Sequence, residues 1–182
     1  MTATRTNIAL LLHAASFAAE KHRKQLRKGV DSTPYINHPL EVAERLVRIG
    51  GIEDAEVLAA ALLHDTIEDT ETTAEELAAE FGARVAAIVV ELSDDKLLMK
   101  DARKAQEIER APHLSPQAKL IKLADKTCNV RDTLDNPPNW SRQRKLDYLD
   151  FAETIIARLG PVHEGLERGF AEILADCRKR LR

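Results

Sequence analysis

Helical periodicity recurs along almost the whole chain, and Gly or Pro punctuates it segment after segment. Apolar side chains that return every three to four residues need a partner surface along one face, so such a chain folds by packing helix on helix. Ile8, Leu11, Leu12, Ala15, Ala18, Ala19 and His22 share this spacing and predict a first helix, ending before the basic, Gly-containing stretch "RKGVDSTPY". Pro39 suits the first turn of a second helix over "NHPLEVAERLVRIG", with Gly50-Gly51 as its stop. Asp54 can cap a third. Thr72, with Glu75 three residues on, forms a capping-box pattern for the next, which Gly82 closes. Further helical patterns run through "ARVAAIVVELS", Met99 to Arg110, Ser115 to Leu134, Ser141 to Leu159 and Val162 to Leu181, with Pro112, Pro116, Pro137-Pro138 and Pro161 among them. The β-branched content of "AAIVVEL" would allow a strand, but its helical neighbours predict helix. The expectation is a compact all-α bundle of roughly eight or nine helices, one unit over residues 1–182.

A chain of 182 residues with 44% hydrophobic content can bury a sizeable core. Its net charge of −3 gives no overall attraction to nucleic acid or to an anionic membrane, so any phosphate binding must come from a local basic cluster. The run "IALLLHAASFAAE" after Arg5 has the outline of a signal peptide, yet it is short, contains His13 and flows into the helical pattern without a break. No stretch approaches the roughly 20 apolar residues that span a bilayer. Cys128 and Cys177 form no C-x-x-C pair, which removes a disulfide framework and a thiolate zinc site from consideration. A cytoplasmic protein with neither a nucleic-acid nor a membrane partner is expected.

Within the third helical segment, "LLHDTIEDT" sets His64, Asp65, Glu68 and Asp69 directly after the apolar run Val57 to Leu63. At about 100° per residue, with His64 at zero, Glu68 falls near 40°, Asp65 near 100° and Asp69 near 140°, all on one side. Ala60 and Ala61 share that side and would leave space above the carboxylates. The bland reading is a solvated acidic helix end. Against it, an unpaired carboxylate beside a buried run is costly, and His64 is a common metal ligand. The remaining ligands are sought at His38, just before Pro39, and at Asp125, which again sits among apolar residues, with Asn129 one turn further on the same face. Two imidazoles and two carboxylates suit manganese, iron or zinc better than magnesium alone.

With these residues assembled, the sequence resembles the HD superfamily of metal-dependent phosphohydrolases, and more specifically the hydrolase domain of RelA/SpoT proteins, above all the small alarmone hydrolases of the metazoan SpoT homologue type. The stretches that carry the resemblance are "HRKQLRK", "TPYINHPLEVA", "AALLHDTIEDT", "FGARV", "LSDDK", "RAPHLSPQAKLIKLADKTCNVRD" and "NW" with the basic segment after it, in family order over about residues 15–150. The resemblance implies an all-helical HD-domain bundle that hydrolyses the 3′-pyrophosphate of guanosine tetraphosphate or pentaphosphate (ppGpp or pppGpp), the alarmones of the stringent response, to GDP or GTP plus pyrophosphate. It implies manganese as the ion, His38, His64, Asp65 and Asp125 as its ligands, and Glu68 and Asp69 as the acidic pair that handles the attacking water. Glu68 is the expected base, because the wheel sets it nearer His64. For the nucleotide it implies Arg27, stacked on the base, with Lys28 beside it, then Asn129 near the metal, Lys100 and Arg144 near the phosphates, and Tyr148 near the sugar. His22 is expected to be structural, and His13, His113 and His163 to lie at the core edge or surface. At Thr127 and Cys128 relatives commonly carry larger residues; both face away from Asp125 on the wheel, so packing should differ before chemistry. The chain stops at Arg182 without the synthetase and regulatory domains of the long relatives, so hydrolysis without synthesis is expected. An NADPH 2′-phosphatase or another HD-type nucleotide phosphohydrolase is the alternative enzyme, and a non-catalytic nucleotide-binding module the alternative outside enzymes.

Overall fold

A computed structural model describes residues 2–182, with side chains from Thr6 onward, so Arg5 of the signal-peptide outline lies outside the described side chains. Among the described residues there are ten α-helices: α1 (Thr2–Lys21), α2 (Asn37–Arg48), α3 (Ala55–Leu63), α4 (Thr66–Asp69), α5 (Ala74–Phe81), α6 (Ala83–Leu92), α7 (Lys100–Arg110), α8 (Pro116–Asp135), α9 (Arg142–Leu159) and α10 (Glu164–Arg180). A 3₁₀ turn (Ala111–His113) joins α7 to α8. The expected all-α class is the observed one. The extra helix arises because the third predicted helix divides into α3 and α4.

The caps explain most boundaries. Asp54 accepts from the N–H groups of Glu56 and Val57 at the start of α3, Ser115 from Ala118 at α8, and Ser141 from Arg144 at α9. At α5 the cap is Thr73, which accepts from Glu76, and not the expected Thr72. Thr72 is instead buried, with its hydroxyl against that of Thr70. Gly82 ends α5 and begins α6 with φ of 88°, a left-handed value that favours glycine.

Every residue of α3 except Glu56 is buried. It is the central helix, packed against α1, α2, α6 and α8. Small residues let these axes approach, with Ala14 and Ala18 of α1 and Ala59, Ala60 and Ala61 of α3 all fully buried. This arrangement rotates α1 away from the expected face, because Ile8 and Leu12 point outward. It also closes the space expected above Ala60 and Ala61, so the cleft forms elsewhere. Each fully buried Leu, such as Leu46, Leu63 or Leu77, contributes about 1.5–3 kcal/mol by leaving water. No helix among the described residues is long and apolar enough to cross a membrane, and Cys128 and Cys177 are buried and unpaired with each other.

Candidate active site

Helix α3 ends where its sequence becomes chemical. Donors from the side chains reach back to its last carbonyls, His64 Nδ1 to Ala61 O at 2.8 Å and Thr66 Oγ1 to Leu63 O at 2.7 Å. Such local bonds compete with the helical ladder, and Asp65 sits between α3 and α4 at φ −98° and ψ −2°. A single straight wheel therefore does not describe the motif.

The break turns His64 and Asp65 toward α2 and α8. Ligand atoms of His38, His64 and Asp65 lie within 4.8 Å of one another. Asp65 Oδ2 is 3.2 Å from His64 Nε2 and 3.8 Å from His38 Nε2. From α8, Asp125 Oδ1 comes within 3.0 Å of His38 Nε2 and 3.7 Å of His64 Nε2. Four side chains that are 87 positions apart at their extremes thus meet at one buried hub.

The donor set fits a divalent cation. The bond from Nδ1 to Ala61 O fixes the His64 ring with Nε2 facing two carboxylates, and Nε2 has no hydrogen-bond partner although it is buried. Burial opposes charge on this imidazole, yet Asp65 and Asp125 outweigh it and raise its pKa to about 10. Burial likewise favours the neutral acids, but His64 holds Asp65 well below the usual carboxylate range, and His38 and His64 do so for Asp125. The two carboxylates therefore favour a positive charge at this point, and a cation would compete there with a proton on His64.

Beside the hub lies a cleft of about 360 Å³, lined on one side by Arg27, Lys28 and Tyr35, on its floor by Asp65, Glu68 and Asp69, and on the other side by Asn129, Asp132, Trp140 and Tyr148. Burial, aided by the carboxylates of Asp94 and Asp65, pushes the Glu68 pKa up to about 7, although Glu68 Oε2 accepts a hydrogen bond from the Asp94 N–H at 3.3 Å. Asp69 is paired with Lys96. The two members of the acidic pair therefore differ in character, Glu68 being the one poised to exchange a proton near neutrality.

Arg27 donates to Asn129 Oδ1 at 2.8 Å and is paired with Asp132, while its guanidinium lies over the Tyr35 ring, 5.5 Å from the centroid. Asn129 in turn donates through Nδ2 to Asp125 Oδ1. The expected nucleotide residues Arg27, Lys28, Asn129 and Tyr148 all line the cleft, whereas Lys100 and Arg144 do not. Lys100 is exposed at the start of α7, with no part in the lining. Arg144 lies 4.5 Å from the centroid of the Trp140 ring, outside the cleft behind that lining residue. The cation on the acidic pair is Lys96, four residues before Lys100.

Tyr35, Asp132, Trp140 and Lys96 lie outside the sequence-based set. Asp132 was findable, because it follows Asp125 and Asn129 at i+7 and i+3 on one face of a helix. Tyr35 had no such signal, since a turn rather than a helix brings it to Asp65. Among the histidines, His22 is buried with its ring tilted against that of Tyr35, centroids 4.8 Å apart, His13 is half exposed beside Glu80, and His163 caps α10.

A helical bundle that gathers this His/Asp hub defines an HD-type domain, and the HD domain family matches residues 14–158. The similar proteins are more particular. Over 92–94% of this chain and 94–96% of theirs, proteins named guanosine-3′,5′-bis(diphosphate) 3′-pyrophosphohydrolase MESH1 are 48% identical in Mus musculus and 52% identical in Xenopus tropicalis. A solved structure described as a metazoan ortholog of SpoT that hydrolyzes ppGpp superimposes with a TM-score of 0.89 at 41% identity, covering 94% of this chain and 96% of that one. The chain belongs to the MESH1 family of HD-domain proteins.

Proposed function

We propose that the protein is a manganese-dependent 3′-pyrophosphohydrolase of guanosine tetraphosphate and pentaphosphate, releasing GDP or GTP and pyrophosphate. The observation that carries this reading is the adjacency of a His38–His64–Asp65–Asp125 hub to the Glu68–Asp69 pair in one cleft, on a chain about half identical to proteins named for that reaction. His38, His64, Asp65 and Asp125 would hold the ion. When bound, it supplies Lewis acidity toward the phosphate and makes water a stronger acid.

The protein's own residues divide the remaining work. Glu68 takes the proton of the attacking water, because its raised pKa matches that task near neutral pH. Asp69 orients the same water while Lys96 offsets its charge. Arg27, held flat by Asn129 and Asp132, offers its guanidinium face to the guanine base. Lys28 adds charge at the rim, and Tyr148 and Trp140 form an apolar wall for the sugar. All 182 residues act as one hydrolase unit, working in the cytoplasm, where two buried, unpaired cysteines are at home.

The test is incubation with guanosine tetraphosphate and manganese, followed by ion-exchange separation of the products. GDP with pyrophosphate in equal amounts is the expected result. Release of a single phosphate, or faster release of phosphate from NADPH, would overturn it.

A further inference from the structure

Between α1 and α2 the chain makes a short antiparallel ribbon. The Arg27 N–H donates to Thr33 O at 2.8 Å, the Tyr35 N–H donates to Gln25 O at 3.0 Å, and Leu26 bridges Pro34. The ribbon lies across the break between α3 and α4, and it is fastened there at two points. Gln25 Nε2 donates to the backbone oxygen of Asp69 at 2.7 Å, and the Tyr35 hydroxyl donates to Asp65 Oδ2 at 2.6 Å. That Oδ2 is the same atom that faces both imidazoles.

We propose that Tyr35 is a positioning residue that couples the two halves of the site: its hydroxyl fixes Asp65 in the metal hub, and its ring carries the guanidinium of Arg27 on the nucleotide side. The inference rests on the metal-dependent nucleotide reading above and goes beyond it, because Tyr35 is neither a ligand nor a base there. Three contacts leave the ring little freedom. His22 lies tilted against it with ring centroids 4.8 Å apart, His38 meets it edge-on at 6.0 Å, and Arg27 lies over it at 5.5 Å. The ring turns about only two side-chain bonds, so packing that fixes it also fixes the position of its hydroxyl oxygen, within reach of Asp65.

The chemistry separates the two functions. Tyr35→Phe removes the hydroxyl and keeps the ring, whereas Tyr35→Leu removes both. Hydrogen-bond partners of metal ligands change metal affinity by roughly 10–100-fold when lost. On metal-stripped protein, Mn2+ binding by titration calorimetry should therefore weaken about 10–100-fold in both variants. Binding of guanosine tetraphosphate to the metal-free protein, where no turnover occurs, should stay at the wild-type level in Y35F and weaken in Y35L. Retained nucleotide binding by Y35F also shows that this variant is folded.

Wild-type Mn2+ affinity in Y35F would overturn the proposal, since the hydroxyl would then not act through Asp65. Equal nucleotide affinity in Y35L and wild type would overturn its other half, since the ring would then not carry Arg27. A wild-type protein that binds no Mn2+ at all would overturn the metal reading itself, which keeps the two failures apart.

Discussion

Glu68 shows how far one side chain's surroundings can set its role. Its neighbour Asp69 is half-buried and carries a lysine, whereas Glu68 is half-buried among other carboxylates, which raises its pKa to about 7. A base must be ionised to work, so the active fraction rises as pH climbs through that value and falls below it. A cation in the hub draws the inflection lower. The expected kcat profile therefore has an acid limb with its midpoint at or below about 7, and a rate flat down to about pH 5 would contradict the assignment. Glu68→Gln, with Mn2+ binding confirmed by calorimetry, should lose about 10²–10⁴-fold in kcat, the usual contribution of a positioned base. Near-normal turnover would show that Asp69 or bulk solvent does this work. At Asp132 the same logic applies to binding. Asp132→Ala removes the ion partner of Arg27 and leaves it only the bond to Asn129, and loss of a hydrogen bond to a charged group costs about 1.5–3 kcal/mol, so KM for guanosine tetraphosphate should rise roughly 10–100-fold with kcat little changed.

Among the elements, α8 carries the most charge for its burial. Lys122, Asp125 and Lys126 are all buried on it, and Glu107 of α7 is the counter-ion of both lysines, at 3.2 and 2.7 Å. Burial alone would raise the Glu107 pKa, but Lys126 and Lys122 outweigh it and lower the value to about 2. Its folded pKa lies below the ordinary 4.5, so its stabilisation is fully present above 4.5 and disappears as pH falls toward 2. Glu107→Leu would leave buried Lys122 without its ion partner and Lys126 with only the more distant Asp125, at 3.9 Å, and should destabilise the protein by about 3–5 kcal/mol in urea unfolding at pH 7. A change below about 1 kcal/mol would mean that water reaches the lysines. Helix α8 also marks what the sequence could show. Its limits and the shared face of Asp125 and Asn129 were legible, because periodicity is a local property. The ion pair to Glu107 was not, because it depends on how α7 docks. The break after Leu63 was hidden for a related reason: an apolar run that continues into "TIED" reads as one helix until His64 and Thr66 turn their donors onto the backbone. That His38, His64, Asp65 and Asp125 come together was legible from their chemistry, whereas Tyr35 and Lys96 needed the turns that carry them.

At the scale of the molecule, the hub sits where α2, α3 and α8 meet, yet the core does not depend on it for closure. Leu46, Leu63, Leu77, Ile121, Leu123 and Leu149 are fully buried on five different helices, and the same core extends to Leu166 and Cys177 of α10. The hub also offsets part of its own negative charge without a cation, since His64, whose pKa is raised, faces Asp65 and Asp125. Removing the metal should therefore change activity and local order far more than the fold. The protein treated with a chelator should keep its far-ultraviolet circular dichroism, and adding Mn2+ at about 100 times its Kd should stabilise it by about 2.7 kcal/mol, which for a chain of this size raises Tm by roughly 5–10 °C. Loss of most of the helical signal on chelation would show instead that the ion organises the junction of α2, α3 and α8. The His–Asp contacts at 3.0 and 3.2 Å would then be too weak to hold these helices together by themselves.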